Sequence, residues 1–321
     1  MTVLVLTRAL DATSDLVISE LSERGVRVVR LDPGDFPQQL TLGARIGPET
    51  GPWVGALRGQ HRGLTLEEIR AVYYRRPSPF RTHPGMTDHD AAWARAEARA
   101  GFHGLLASRR CRWVNHPSAN AHAELVPVAL AAASRSGLNV PPTLITNDPV
   151  GAREFVRALP GRTAAYKALG PGGPTTHDGN AHALWTTKVH ADEITDAVRL
   201  TAHQFQQWIP KAYEVRVTAV EYRLFAAEIH AGSDAARIDF RTDYDHLTYR
   251  PCHVPETVAD GMRELLYTLQ LSYAACDFLV SEEDGRWYLV DVNPNGQWGF
   301  IPELRTPITH ALADLLEGKR P

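Results

Sequence analysis

At 321 residues the chain has room for two or three compact units and a sizeable buried core. Its 34 Lys and Arg against 37 Asp and Glu leave a net charge of −3, which removes any global electrostatic case for binding nucleic acid. Three scattered cysteines, Cys111, Cys252 and Cys276, exclude a disulfide framework or a thiolate metal site, and no apolar stretch approaches membrane-spanning length, so the expected compartment is a reducing cytoplasm away from any membrane.

The N-terminus runs straight into a core strand, with no basic segment or small-residue cleavage site ahead of it. Residues 3–6 read as a buried strand, 14–24 as an amphipathic helix ended by Gly25, and 26–31 as a second strand, a β-α-β opening that is Rossmann-like in outline. The turn over residues 7–11 lacks Gly-x-Gly-x-x-Gly, so a dinucleotide pyrophosphate has no close backbone approach there. Residues 40–57 predict short extended pieces broken by Gly and Pro, followed by a helix over 66–70 and a strand over 71–74. That strand ends in Arg75 and Arg76, placed either against a carboxylate or phosphate beyond the sheet's carboxyl edge or simply in solvent. Residues 91–108, alanine-rich with Trp93, Phe102, Leu105 and Leu106 on one side, predict a packing helix covered by the core or by a partner subunit. Another helix spans 120–136, closed by Gly137, and a new sheet begins over 140–145. The first domain boundary falls near His116.

Farther on, a strand over 163–167 ends in Lys167 and runs into a glycine-rich stretch holding Gly170, Gly172 and Gly173. A point positive charge followed by flexible backbone amides is what phosphate handling requires, although glycine-rich hairpin tips are also common without a ligand. Lys188 lies on the strand 184–189. Along the strand 213–220, Glu214 and Arg216 share one face with Val215 and Val217 opposite, either a surface ion pair or part of a site.

Residues 273–281 and 286–292 are rich in apolar and β-branched residues and flank the acidic turn Glu282-Glu283-Asp284-Gly285, a hairpin signal. Asp277 and Asp291 then lie on neighbouring strands, and Asp291 and Asn293 share a face because side chains alternate with period two. Two carboxylates and an amide oxygen suit Mg²⁺, which keeps waters and takes further ligands from nucleotide phosphates. Beside Phe278, Leu279, Leu289 and Val290, unpaired carboxylates would repel each other and resist desolvation, so a bound cation is the economical explanation.

The segment from Asp277 to Val280, the segment from Val290 to Trp298, and Glu214-Val215-Arg216 resemble an ATP-grasp ligase. The ending Asn293-Pro294-Asn295-Gly296-Gln297-Trp298 is similar to one branch, the ribosomal peptide maturases that make microviridin-type or graspetide macrocycles. The resemblance covers most of the chain and is sharpest over residues 166–300. It implies an α/β (α+β) ATP-grasp fold: an N-terminal Rossmann-like pre-ATP-grasp domain over 1–116, a central lid domain over 117–204, and a C-terminal antiparallel-sheet catalytic domain over 205–321. Its cofactors would be ATP and Mg²⁺, the metal held by Asp277, Asp291 and Asn293.

The resemblance assigns nucleotide-phosphate contact to Lys167 and Lys188, and a lid to the loop with Gly170, Gly172 and Gly173. It seats adenine at residues 205–210, with Trp208 and Ile209 forming an apolar slot and Gln206 or Gln207 reaching the base or ribose. Arg216 would steady the transferred phosphoryl group or acyl phosphate, with Glu214 orienting it or bracing it from behind. Asp239, Phe240 and Arg241 match a segment that in this branch usually reads Asp-Trp-Arg; Phe240 keeps the aromatic. Arg241 would bind a carboxylate or phosphate, with Asp239 as its partner or as a base. The implied reaction activates Asp or Glu side chains of a precursor peptide, leader plus core, as acyl phosphates and couples them to Thr or Ser hydroxyls or Lys amines. The implied assembly is a homodimer. The alternative is an amino-acid or peptide-tail ligase of the ribosomal-protein glutamate-adding type.

Overall fold

The structure, a computed structural model, describes residues 1–60, 62–170 and 184–319. The chain divides into two compact units, one of residues 1–120, 270–273 and 297–321, the other of residues 121–269 and 274–296.

In the first unit, β1 (Thr2–Leu6), the helix Ala12–Glu23 and β2 (Arg27–Leu31) form the expected β-α-β opening. The antiparallel strands β3 (Thr41–Arg45), β4 (Val54–Arg58) and β5 (Gly63–Thr65) make a small separate sheet. β6 (Ile69–Tyr74) and β7 (Arg112–Val114) return to the main sheet, whose order is β2-β1-β6-β7 with all strands parallel. A parallel sheet buried on both faces needs near-continuous apolar runs, which residues 3–6 supply, each at most 1% exposed. Where a helix was expected over 66–70, a single 3-10 turn, Leu66–Glu68, leads into β6.

The alanine-rich segment is an α-helix, Asp88–Ala98, then a π-helical turn, Arg99–His103, then a short helix, Gly104–Ala107. The extra residue in the π turn shifts the register. Phe102 and Leu106 reach the core while Trp93, expected on the same side, is 65% exposed: lying nine residues before Phe102, about two and a half helical turns, it falls on the opposite side. The helix expected over 120–136 is two helices, Pro117–Ala123 and Val126–Arg135, because Pro127 cannot supply an amide to a continuous ladder. The C-terminal helix Pro302–Glu317 is tied to the first helix through Arg24, which bonds Asp314 and Glu317 at 2.6 Å each. Asn115, 2% exposed, imitates a strand backbone: its Oδ1 accepts from the Ser272 and Tyr273 amides at 2.8 and 2.9 Å, and its Nδ2 donates to the Tyr273 carbonyl at 2.8 Å.

The second unit holds two sheets, the first of them antiparallel throughout. β8 (Thr143–Thr146), β9 (Thr163–Lys167), β10 (Thr187–His190) and β11 (His203–Gln207) assemble in the order β10-β9-β11-β8. β12 (Lys211–Val220), β13 (Arg223–Ala231), β14 (Leu247–Cys252), β15 (Tyr273–Ser281) and β16 (Trp287–Asn293) assemble in the order β14-β13-β12-β15-β16. The hairpin expected near the C-terminus is β15–β16. No helix among the described residues is long and apolar enough to cross a membrane.

Candidate active site

The ladder between β15 and β16 sets Asp277 directly opposite Asp291 and Ala275 opposite Asn293, with a register shift just after Asp277. Directly paired residues share a sheet face, so both acids and Asn293 point to one side. Asp277 is buried, and Arg216 on β12 takes its carboxylate with both arms of the guanidinium, Nε to Oδ1 at 2.5 Å and a terminal nitrogen to Oδ2 at 3.0 Å. This planar two-bond grip is specific to arginine. Each oxygen keeps a lone pair for another ligand. The Arg216 guanidinium also lies 5.8 Å from the ring centroid of Phe240.

Asp291 is exposed on the sheet face, although many protein atoms lie near its carboxylate. That crowding, and then the negative charge of Asp277, push its carboxyl above the usual carboxylate range, against the pull of Arg216, Lys167 and Arg241. Asn293 accepts the Asn295 amide on Oδ1 at 3.0 Å, which folds the turn after β16. The turn has no room for a side chain at Gly296, where a Cβ would collide with that of Ala275.

Lys167 ends β9 as expected. Its Nζ donates to Gln206 Oε1 at 2.9 Å, and the Gln206 Nε2 donates to Thr143 Oγ1 at 2.9 Å. The Gln206 amide, 1% exposed, is thus committed at both ends to protein and orients Lys167, a role the sequence reading did not give it. Crowding holds the Lys167 ammonium below the usual lysine range, while Asp291 and Glu214 support its charge. Lys188 faces the same region from β10, its Nζ 4.2 Å from the ring centroid of Trp208. Lys167, Gln206, Trp208 and Ile209, four residues separately assigned to the nucleotide, line one narrow cavity of about 50 Å³. Lys211 and Leu279, which the sequence reading did not single out, line it too. Gly170 is exposed with open space about its Cα; Gly172 and Gly173 lie outside the described residues.

Glu214 and Arg216 share one face of β12, and both are buried. Burial raises the Glu214 carboxyl above the ordinary range, and Lys211, bonded to Oε1 at 2.5 Å, opposes that rise; Asp277 and Asp239 reinforce it. Asp239 follows the helix Asp234–Ile238 and receives Arg241 Nε at 2.8 Å, an Arg241 terminal nitrogen at 2.5 Å and the Thr186 amide at 3.0 Å. Burial alone would raise the Asp239 carboxyl, but these donors outweigh it and hold it at about 2. In the folded chain the Asp239 carboxylate is the ion-pair partner of Arg241. Arg241 also stacks on Trp185, 5.5 Å from its ring centroid.

No group of three or more His, Cys, Asp or Glu suited to a metal ion occurs among the described residues. The donor set is two opposed carboxylates and one amide, all hard oxygens. That matches a cation which leaves room for waters and phosphates. The mutual repulsion that raises Asp291 is what a divalent ion would relieve.

The N-terminal residues 2–121 match the family model of the MvdD pre-ATP-grasp domain. No curated protein matches the sequence. Among solved structures, a RiPP-associated ATP-grasp ligase from Chryseobacterium gregarium, solved with ADP and a leader and core peptide, superposes with a TM-score of 0.90 at 27% identity, covering 100% of this chain and 97% of that one. The macrocyclase MdnC from Microcystis aeruginosa MRC, bound with precursor peptide MdnA, gives a TM-score of 0.87 at 25% identity over 99% of this chain and 100% of its own. MdnB from the same organism gives 0.80 at 25% identity over 98% of both chains. The chain has the ATP-grasp fold with a pre-ATP-grasp N-terminal domain, and over its whole length it is similar to ATP-grasp ligases associated with ribosomal peptide maturation.

Proposed function

We propose that the protein is an ATP- and Mg²⁺-dependent ligase that closes rings in a ribosomally made precursor peptide. The observation that carries this reading is the opposed pair Asp277 and Asp291, braced by the two-armed grip of Arg216 and neighboured by Lys167. A nucleotide binds against the surface around Lys167, Gln206, Trp208 and Ile209, its phosphates toward Lys167 and Lys188. Asp277, Asp291 and Asn293 would hold Mg²⁺, which supplies charge neutralisation for the transferred phosphoryl group. An Asp or Glu carboxylate oxygen of the peptide attacks the γ-phosphorus, and ADP leaves. Arg216, held in place by Asp277 and Phe240, faces the acyl phosphate. A Thr or Ser hydroxyl or a Lys amine then attacks the acyl carbon, phosphate departs, and an ester or amide closes the ring. Tethering of nucleophile and electrophile in one peptide supplies much of the advantage.

The wider reading divides the chain by function: residues 1–116 as pre-ATP-grasp domain, 117–204 as lid, with Gly170, Gly172 and Gly173 closing over phosphate, and 205–321 as catalytic domain. Glu214 orients the reacting groups, and Arg241, backed by Asp239, meets a carboxylate or phosphate. A cytoplasmic homodimer acting on leader plus core peptide completes it; three unpaired cysteines accord with that compartment. The test is to incubate the protein with ATP, Mg²⁺ and precursor peptides encoded beside its gene. ADP together with a peptide lighter by whole water masses is expected. ADP with added amino-acid mass would point to a tail ligase, and absence of ADP would end the ligase reading.

A further inference from the structure

Lys211 opens β12 immediately after Pro210, and no role has been given to it so far. Its side chain is only 11% exposed and its ammonium makes two bonds, to Glu214 Oε1 at 2.5 Å and to the backbone carbonyl of Ile238 at 3.4 Å. Ile238 ends the helix Asp234–Ile238, directly ahead of Asp239. One lysine thus joins the strand carrying Glu214 and Arg216 to the segment carrying Asp239 and Arg241. It also lines the cavity shared by Lys167, Gln206, Trp208 and Ile209.

We infer that Lys211 is a positioning residue of the nucleotide site, acting through Glu214: it fixes the Glu214 carboxylate and ties strand β12 to the carbonyl end of the helix Asp234–Ile238. The charges around Glu214 make such a clamp necessary. Asp277 from β15 and Asp239 from the end of the helix repel its carboxylate, and Lys167 from β9 draws on its charge. A buried carboxylate facing two other acids stays in one place only if a cation is bonded to it. Lys211 is the cation that is hydrogen-bonded to it, and Glu214 in turn supports the charge of Lys167, the residue assigned to phosphate. The carbonyl bond supplies the second anchor, so the ammonium cannot follow Glu214 away from the strand.

This inference rests on the ATP-site reading above, and the probe is ADP with Mg²⁺, whose dissociation constant is measured by titration calorimetry on the full chain. Loss of a charge-assisted bond in a desolvated site predicts that Lys211→Met weakens ADP by about 10-fold or more. Glu214→Gln gives a similar loss, and the double variant falls within about two-fold of the weaker single variant, because the two act as one unit. Lys211→Arg, which keeps the charge and a donor, stays within about three-fold of the parent. Should Lys211→Met fail to fold, Lys211→Gln takes its place in the same cycle. Parental affinity in the Lys211 variants, losses that multiply in the double variant, or an arginine variant as weak as the methionine one would each overturn the inference while leaving the ATP site standing. A parent chain that does not bind ADP overturns the site reading and this inference together.

Discussion

Asp277 faces Asp291 directly across the β15–β16 ladder, yet the two carboxylates have different fates: Asp277 is held by both arms of Arg216, while Asp291 is raised by crowding and by Asp277 more than the cations Arg216, Lys167 and Arg241 lower it. An opposed pair with only one member neutralised is poised to take a divalent ion.

Replacing Asp291 with Asn should lower ADP formation at least about 100-fold while leaving the fold intact, since half of the acid pair is gone. Stability should move the other way. Asp291 has a raised pKa in the folded chain, from an ordinary value of 3.8. Its ionisation therefore costs stability as pH climbs through the window above that value. Without Mg²⁺ the Asn variant should be the more stable protein at pH 7, with the difference vanishing near pH 4. Urea unfolding at the two pH values checks this, and equal stability at pH 7 would contradict the raised pKa.

Asp239 gives the opposite dependence. Its carboxyl lies at about 2 in the folded chain against an ordinary 3.8. The stabilisation is present in full above the unfolded value and is lost as pH falls toward 2, amounting to about 2 kcal/mol at neutrality. Asp239→Asn should therefore cost about 2 kcal/mol at pH 7 and progressively less below pH 4. A destabilisation that does not change with pH would assign the effect to packing instead.

Gln206→Leu removes the oxygen that receives Lys167 and the amide that bonds Thr143. Lys167 then loses its orientation in a desolvated setting. The KM for ATP should rise about 10-fold, in line with the loss of one charge-assisted bond. Steady-state ADP release against ATP concentration reads this directly. A loss confined to kcat would show that Gln206 acts on the chemical step rather than on nucleotide binding.

Asn115→Ala deletes three buried hydrogen bonds and strands the amides of Ser272 and Tyr273 and the Tyr273 carbonyl. The expected cost is about 3 kcal/mol or more. Thermal or urea unfolding provides the measurement, and a change below about 1 kcal/mol would mean that water takes over those groups.

The hairpin was legible because its signals are local: alternation along both strands and an acidic Gly turn put Asp277, Asp291 and Asn293 on one face. The grip of Arg216 on Asp277 was not, since it depends on β12 lying beside β15 in the order β14-β13-β12-β15-β16, a pairing across distant sequence. Lys211 was hidden for a different reason. Strict alternation puts residues three apart on opposite faces, so Lys211 and Glu214 read as unrelated; their contact forms where the strand has only just left Pro210. Trp93 is exposed because its spacing from Phe102, nine residues or about two and a half helical turns, sets it on the opposite side of the helix from Phe102 and Leu106. Gln206 reads by its chemistry as a ligand for base or ribose, and the register of β8, β9 and β11 adds what the sequence could not show, one bond from each end of its amide, to Thr143 and from Lys167.

The near collision that forbids a methyl group at Gly296 has a practical side for anyone wishing to redesign this protein. Ala275, the residue that leaves no space there, is also the ladder neighbour of Asn293. Libraries aimed at new metals or nucleotides should hold these two small residues constant and diversify around them, because bulk introduced at either would displace the ligand arm before any altered selectivity had a chance to appear.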